Sequence, residues 1–302
     1  MANNIFPGTG ALRVFEAAGR HLNFTKAADE VGLTPAAVSY QIKEIEERLG
    51  LVLFQRTSRK INLTPAGSIM LGTVSEILTN LRKTTALARK ESRKETKLRI
   101  TLGARIATNW LFPRLSEFKH DNPELTLEFD ITDTTRDLET DDVDVAIRFC
   151  ATTPPQMVSH RLFGTSVVAI CNPELLKKGP AIKKPQDLLQ HTLCYVNCQT
   201  EGMTWPNWHM WMNEAGVDEF DETRTVAFSD LSNVVQAVSD GGAIGLAEPA
   251  MIASELKQGR LVKLFDTSLK IPEQYAYHFI YPDKYGDESA IKTFRKWLLK
   301  QV

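Results

Sequence analysis

The apolar pattern of the chain changes near residue 96, and this change restricts the possible folds more than any other feature of the sequence. Before it, apolar residues recur at helical spacing; after it, short apolar runs alternate with helical segments. The charged stretch 89–97 between the two patterns is typical of a hinge. A chain of 302 residues is also too long for one ordinary core. We therefore predict a helical front domain and a separate α/β domain behind it.

Three helices are predicted in the front domain before residue 50. Thr25 is the predicted cap of the second helix, and Gly32 ends it. The third helix begins at Thr34-Pro35, a capping residue followed by a first-turn proline, and stops at Gly50. Its apolar stripe consists of Val38, Ile42, Ile45 and Leu49. The arrangement is typical of a helix-turn-helix, but a three-helix unit with an ordinary solvated face has the same spacing.

The third predicted helix carries candidate DNA-binding residues outside its apolar stripe. Ser39, Tyr40 and Gln41 are hydrogen-bonding types suited to base edges, and Lys43 can neutralise a phosphate. Glutamates in the C-terminal half of the helix would be repelled by phosphate, so that half should point away from DNA. A polar hairpin follows Phe54 and would form a wing against the DNA. Its basic residues are Arg56, Arg59 and Lys60.

The charge of the chain is unevenly distributed. Residues 1–96 contain 14 basic and 9 acidic residues, a net charge of +5, whereas the remainder contains 22 basic and 28 acidic residues, a net charge of −6. A basic front and an acidic back indicate that only the front domain meets a polyanion.

A long helix is predicted from Thr64-Pro65 to about residue 93. Its apolar residues recur at close to heptad spacing and would form one face: Met70, Val74, Ile77, Leu81 and Ala88. Pairing of this face with a second copy of the chain is favoured, because few residues of the front domain remain to cover it. Packing of the helix on its own domain is the alternative.

The remaining residues alternate between predicted strands and helices. Strands are expected at 98–102, 125–129 and 143–147, with a helix through 110–120, and the pattern recurs later in the chain. This alternation predicts a mainly parallel sheet covered on both faces.

Several function classes find no support in the sequence. The nucleophile motif G-x-S-x-G and the phosphate-binding G-x-x-x-x-G-K are missing, so we expect no enzyme. The four cysteines fit neither a disulfide framework nor a zinc pattern, and we expect no metal and no cofactor. No window is apolar enough for a membrane helix and no secretory signal is recognisable, which predicts a cytoplasmic protein that does not bind membranes.

Dense motifs in the front domain resemble the N-terminal signature of LysR-type transcriptional regulators. They are Ala27-Ala28, LTPAAVSYQIK at 33–43, Glu46, Leu49-Gly50, Leu53-Phe54, Arg56 and LTPAG at 63–67. Further similarity lies in WLFPRL at 110–115, DVDVAIR at 142–148 and GRLV at 259–262. The stretches at 12–18 and 20–25 are similar to the branch of glycine-cleavage activators and β-lactamase regulators. The resemblance covers nearly the whole chain.

The resemblance implies a multidomain protein with a particular set of DNA contacts. Residues 1–64 would be an all-α winged helix-turn-helix domain and 65–93 a linker helix. Base contacts would come from Pro35, Ala36, Ser39 and Tyr40, with Gln41 near the DNA backbone; the helix start at Thr34 completes this set. Arg56 would be the wing residue. Many members have Gln-Pro where this chain has Pro35-Ala36, so the bases read there are open.

The resemblance also implies an effector-binding α/β domain at 94–302, similar to periplasmic binding proteins. Its first lobe would comprise 97–167 and 270–302, and its second lobe 168–269. A small-molecule effector would bind between the lobes at the carboxyl ends of the strands. The candidate effector-binding residues are Gly103, Ala104, Arg105, Ile106, Thr132, Asp133, Arg148, Asn197, Ser229, Asp230, Ala247 and Tyr277.

Several of these candidates have structural alternatives. Arg105 would favour an effector that carries a carboxylate. Asp133 is equally suited to cap a turn, Arg148 to pair with Asp144, and Tyr277 to lie in the core. Trp205, Trp208 and Trp211 recur every three residues and are expected in the core, with a ligand platform as the alternative.

The partners implied by the resemblance are double-stranded promoter DNA, RNA polymerase and further copies of the chain. A homodimer would form through 65–93 and associate into a homotetramer. The sequence does not distinguish activation from repression. An enzyme with a DNA-binding appendage and an architectural DNA-binding protein without an effector are the alternative functions.

Overall fold

The computed structural model describes residues 7–56, 61–91, 96–200 and 202–302. The chain divides into two compact units, residues 1–90 and 91–302. The first unit contains α1 (Thr9–His21), α2 (Phe24–Val31), α3 (Pro35–Leu49), β1 (Phe54–Arg56), β2 (Ile61–Leu63) and α4 (Pro65–Glu91), where α4 extends to the boundary between the units.

Local sequence signals set the ends of the first three helices. Asn23, rather than Thr25 as predicted, caps α2: its side chain accepts hydrogen bonds from the backbone N–H groups of Thr25 and Lys26. Thr34 caps α3 by accepting from the N–H of Ala37. Gly32 and Gly50 end α2 and α3 in the left-handed conformation that glycine adopts without strain. The predicted helix ends at Gly32 and Gly50 are confirmed.

The core of the first unit joins the three helices to the hairpin. Val38, Ile42 and Ile45 are buried as predicted, and Phe54 of β1 packs edge-on against Phe15 and Phe24. Strand β1 pairs antiparallel with β2, which forms the predicted hairpin.

Helix α4 divides its apolar residues between two environments. Val74 and Leu78 are buried in the core of their own unit, at 4% and 5% exposure. Ile77 and Leu81 are 50% and 49% exposed. The predicted single face that included Val74 is therefore only partly right, because that residue packs within its own chain.

The second unit is built on two five-stranded sheets. The first sheet has the order β4-β3-β5-β14-β6 and the second β11-β8-β12-β7-β13. The strands of the first sheet are β3 (Lys97–Leu102), β4 (Thr126–Ile131), β5 (Val145–Cys150), β6 (Met157–Phe163) and β14 (Ala276–Pro282). Those of the second are β7 (Ser166–Cys171), β8 (Leu193–Val196), β11 (Thr225–Phe228), β12 (Ile244–Ala247) and β13 (Val262–Lys270). Strands β9 (Gln199–Thr200) and β10 (Met203–Thr204) pair antiparallel in a separate two-stranded sheet.

Both sheets are mixed rather than mainly parallel as predicted. Strands β3, β4 and β5 are parallel, but β14 is antiparallel to its neighbours β5 and β6. In the second sheet, β7 runs antiparallel to β12 and β13. The chain passes directly from β6 to β7 and from β13 to β14, and every antiparallel pair in these two sheets includes one of these four crossing strands.

Helices cover the sheets. They are α5 (Ala104–Ile106), α6 (Leu115–Asp121), α7 (Pro173–Lys178), α8 (Trp208–Glu214), α9 (Leu231–Ser239), α10 (Ala253–Lys257) and α11 (Ser289–Leu298). Phe118 of α6 packs against Phe294 and Trp297 of α11 in the core. The predicted helix through 110–120 is instead a π-helical turn, a 3₁₀ turn at Phe112–Arg114 and then α6. Trp205, Trp208 and Trp211 are buried, which confirms their assignment to the core.

Candidate nucleic-acid interface and ligand cleft

The N-terminal half of α3 presents its predicted DNA-binding residues to solvent. Tyr40 is 69% exposed, and Ser39 and Gln41 are half-buried beside the core stripe. The other exposed candidates are Thr34, Pro35, Ala36 and Lys43. Because the opposite face of α3 fills the core, these side chains form a surface that a DNA groove can reach.

The charged residues of α3 pair along the helix. Lys43 lies 3.4 Å from Glu47, and Arg48 lies 3.4 Å from Glu44, in both cases at i,i+4 spacing. Exposed pairs of this kind are weak. Lys43 therefore remains able to exchange Glu47 for a phosphate.

The hairpin is held by a glutamate of the same helix. The Glu46 carboxylate accepts hydrogen bonds from the backbone N–H of Leu53 at 2.7 Å and of Phe54 at 3.0 Å. Glu46 thus positions the hairpin rather than facing solvent. Arg56 is the last residue of β1, and the wing candidates Arg59 and Lys60 lie outside the described residues.

A groove of about 710 Å³ runs between α1 and α3. Tyr40 and Gln41 line it from α3, and the exposed Arg13 lines it from α1. Sequence reasoning missed Arg13 as a residue of this groove, because helix spacing alone does not show which side of α1 lies beside α3.

In the second unit, most of the effector candidates lie at or after the carboxyl ends of strands, whereas Arg148 lies within β5 and Tyr277 near the start of β14. Gly103 to Ile106 follow β3, Thr132 and Asp133 follow β4, and Asn197 follows β8. Ser229 and Asp230 follow β11, and Ala247 ends β12. The Asp133 carboxylate lies beside Gly103, where a methyl group would come within 3.1 Å of it.

Arg105 is the candidate that joins the two sheets. Its Nη1 lies 3.4 Å from Oε2 of Glu248, the residue that follows Ala247, and its Nη2 lies 3.4 Å from Sγ of Cys198. The guanidinium stacks over the ring of Trp205 at 4.0 Å. Asn109 adds a second bridge, because its side-chain amide lies 3.4 Å from the Ser232 hydroxyl. We call the region around Arg105 and Glu248, where the sequence predicts the effector to bind, the ligand cleft.

Glu248 and Tyr277 are deeply buried in this region. Glu248 is 1% and Tyr277 3% exposed, and the Tyr277 hydroxyl donates to Oε1 of Glu248 at 3.3 Å. Burial raises the pKa of the Glu248 carboxyl, an effect that the Arg105 guanidinium opposes. Burial likewise raises the pKa of Tyr277 well above its ordinary value. Tyr277 is therefore both a core residue and part of the cleft.

Two other candidates have structural hydrogen bonds. Arg148 donates to the backbone carbonyls of Thr132 and Thr134 and to the Thr101 hydroxyl, and burial lowers its pKa. The alternative of an Arg148–Asp144 pair is not what the structure shows. Asp230 caps α9 by accepting from the N–H of Ser232 at 2.7 Å.

Sequence reasoning missed Glu248, Cys198 and Asn109 as cleft residues, and it favoured the core for Trp205, which is buried and also stacks on Arg105. A glutamate before Pro249 has the pattern of a surface turn, and its burial depends on an arginine 143 positions away. Only the apolar, strand-like pattern at 242–246, which ends two residues before Glu248, could have indicated it.

Comparison with known proteins places both units in one family. The family model "Bacterial regulatory helix-turn-helix protein, lysR family" matches residues 9–68, and "LysR substrate binding domain" matches residues 91–302. The glycine cleavage system transcriptional activator of Escherichia coli (strain K12) is 34% identical over 296 residues, covering 98% of this chain and 94% of that protein. The transcriptional activator AmpR of Pseudomonas aeruginosa is 31% identical over 295 residues, covering 97% and 95%.

Two solved structures have the same architecture. The effector domain of AmpR from Pseudomonas aeruginosa has a TM-score of 0.53 at 27% identity, covering 68% of this chain and 94% of that one. Full-length AphB of Vibrio cholerae has a TM-score of 0.55 at 21% identity, covering 97% and 99%, and supports the fold alone.

These similarities define the protein as a DNA-binding transcriptional regulator with an effector-binding domain. The chain belongs to the LysR family, whose members bind DNA and small-molecule effectors and oligomerise. It is a regulator rather than an enzyme. Across the described residues, no helix has the length and apolar character needed to cross a bilayer.

Proposed function

We propose that the N-terminal half of α3 reads promoter DNA and that an effector in the ligand cleft alters this binding. The observation that carries the DNA contact is the position of Tyr40: it is 69% exposed on a helix whose opposite face is core. Lys43 and the hairpin would contact phosphates, which fix the register on the duplex without reading sequence.

Paired chains would place two copies of α3 on a partly palindromic site. The exposed Ile77 and Leu81 of α4 support pairing through this helix, because large apolar side chains on a solvated helix face are an interaction surface. A tetramer, contact with RNA polymerase and a cytoplasmic location complete the proposal.

The effector site is proposed at the carboxyl ends of the strands, where Arg105 supplies a cation for a carboxylate. A ligand there changes DNA binding only if it prefers one arrangement of the assembly over another. Arg105 follows β3 of the first sheet and contacts Glu248, which follows β12 of the second, so binding there would alter how the sheets are held together.

Selection of genomic fragments tests the DNA-binding proposal. Full-length protein would be mixed with fragmented genomic DNA, and retained fragments would be measured by fluorescence anisotropy at physiological salt. We expect a small set of promoter fragments bound at least about 1,000-fold more tightly than a scrambled duplex of equal length. Equal affinity for retained and scrambled duplexes would contradict sequence-specific recognition.

A further inference from the structure

Two opposite charges are buried against each other where the sheets meet. Arg105 follows β3 of the first sheet and Glu248 follows β12 of the second. The side chains are 17% and 2% exposed, and Nη1 lies 3.4 Å from Oε2. That separation is longer than the 2.7–2.9 Å or so of a strong charge-assisted hydrogen bond. The pair is therefore in contact without optimal hydrogen-bond geometry.

Aromatic rings surround this pair. Trp205 stacks on the Arg105 guanidinium, and Phe149 packs against Trp205 at 5.3 Å and against Tyr277 at 5.0 Å between ring centroids. Tyr275 stacks on Phe149. Such walls exclude water, so a charge left without a partner here is costly.

This charge balance discriminates between ligand classes. An anion that bound Arg105 would leave Glu248 buried without a cation, so that the carboxyl would have to take up a proton. A cation that bound Glu248 would leave Arg105 without an anion. A ligand with both charges satisfies both side chains. Because Arg105 and Glu248 are in contact, the two ligand charges must lie close together, as they do on the single α-carbon of an amino acid.

We infer that the effector of this regulator is a small zwitterion of the α-amino-acid class, with its carboxylate on Arg105 and its ammonium on Glu248. This inference rests on the proposed effector site and adds Glu248 as the residue that selects the ammonium. The Tyr277 hydroxyl donates to the other carboxylate oxygen of Glu248, Oε1, and so helps to hold the carboxylate in place.

Calorimetry with matched probes tests the inference. Full-length protein would be titrated at pH 8 with the proteinogenic L-α-amino acids, then with the decarboxylated amine and the deaminated acid of the tightest binder. Proton uptake by Glu248 is less favourable at this pH than at neutral pH. We expect the amino acid to bind at least about tenfold more tightly than either analogue. Binding of the acid or the amine as tight as that of the amino acid would overturn the inference, as would no binding by any amino acid.

A charge-neutral variant tests the role of Glu248. In Glu248→Gln, the amino acid should lose at least about tenfold in affinity and bind no better than its acid analogue. The matched control is Glu255→Gln, which removes a carboxylate of the surface pair with Arg260 and should bind as wild type does. Unchanged binding by Glu248→Gln would exclude the assigned role.

A double variant covers the case in which Glu248→Gln fails to fold. Arg105→Met with Glu248→Met removes both buried charges together, which conserves stability better than removing one. It should melt close to wild type yet bind no amino acid; retained binding would overturn the inference. The fragment selection separates the two proposals. If the protein binds DNA sequence-specifically but binds the acid analogue more tightly than the amino acid, the DNA-binding proposal stands and the effector is a simple carboxylate.

Discussion

Two glycines of α4 show how strongly the effect of one methyl group depends on its surroundings. At Gly67, a Cβ atom would lie 2.1 Å from the backbone oxygen of Leu53. At Gly72 of the same helix, nothing lies within 4 Å of that position. Thr64 reinforces the contact at Gly67, because its hydroxyl donates to the carbonyl of Val52 and accepts from the N–H of Gly67. The start of α4 is thus fixed closely against the segment before β1.

Gly67→Ala should destabilise the first unit by about 1–3 kcal/mol, because the backbone must shift to relieve the clash. Gly72→Ala, the matched control, should stabilise the helix by about 0.5–1 kcal/mol, since alanine loses less backbone entropy than glycine. Calorimetric melting of the full chain measures both. Equal shifts for the two variants would show that the close approach at Gly67 is not as described.

Residues differ in how far sequence alone could assign them. Thr34, Gly32 and Gly50 were predictable, because a cap or a left-handed turn depends on neighbours in sequence. Glu248 was not, because its burial follows from Arg105 and the aromatic rings around it, which come from distant segments. The predicted cap at Thr25 was wrong for a local reason: Asn23 supplies the oxygen two residues earlier.

At the scale of elements, α4 shows that periodicity does not determine what covers a face. Val74 and Leu78 pack within the first unit, whereas Ile77 and Leu81, one turn apart, remain half exposed. The heptad-like spacing predicted one face, and Val74 and Ile77 are indeed only about 60° apart around the helix axis. The first unit covers one edge of that face and leaves the other exposed.

Ile77→Glu combined with Leu81→Glu should weaken the pairing of chains by at least about tenfold in dissociation constant, because it places charges in an apolar interface. Sedimentation velocity across a concentration series measures this effect. Ser68→Glu is the control: Ser68 is exposed and precedes Ile77 by nine residues, two and a half turns, and so faces the opposite side. If the double variant associates as wild type does, another surface holds the chains together.

The strands were predictable as elements, but their pairing directions were not. Short apolar runs located β3, β4 and β5 to within a few residues. Direction depends on where the chain crosses between sheets, and the two crossings at β6–β7 and β13–β14 introduce the antiparallel pairs. Alternation of strands and helices carries no signal for such crossings, which is why a mainly parallel sheet was expected.

At the scale of the whole molecule, a basic unit and an acidic unit are joined in one chain. The +5 charge of residues 1–96 suits the phosphate backbone, and the −6 charge of the remainder keeps the second unit from competing for it. The family match covers both units, so DNA reading and effector binding belong to one protein. The sequence motifs sufficed for that conclusion, whereas the effector class depends on buried contacts.

Two substitutions in α3 test most directly whether its N-terminal half reads DNA. The measured quantity is the ratio of affinities for a selected fragment and a scrambled duplex, by anisotropy at fixed salt. Tyr40→Ala should lower this ratio by about tenfold or more, because a base contact contributes roughly 1–3 kcal/mol of discrimination. Glu47→Ala, exposed in the C-terminal half of the same helix, should preserve the ratio. A Tyr40→Ala protein with the wild-type ratio, or an equal loss in Glu47→Ala, would contradict the account.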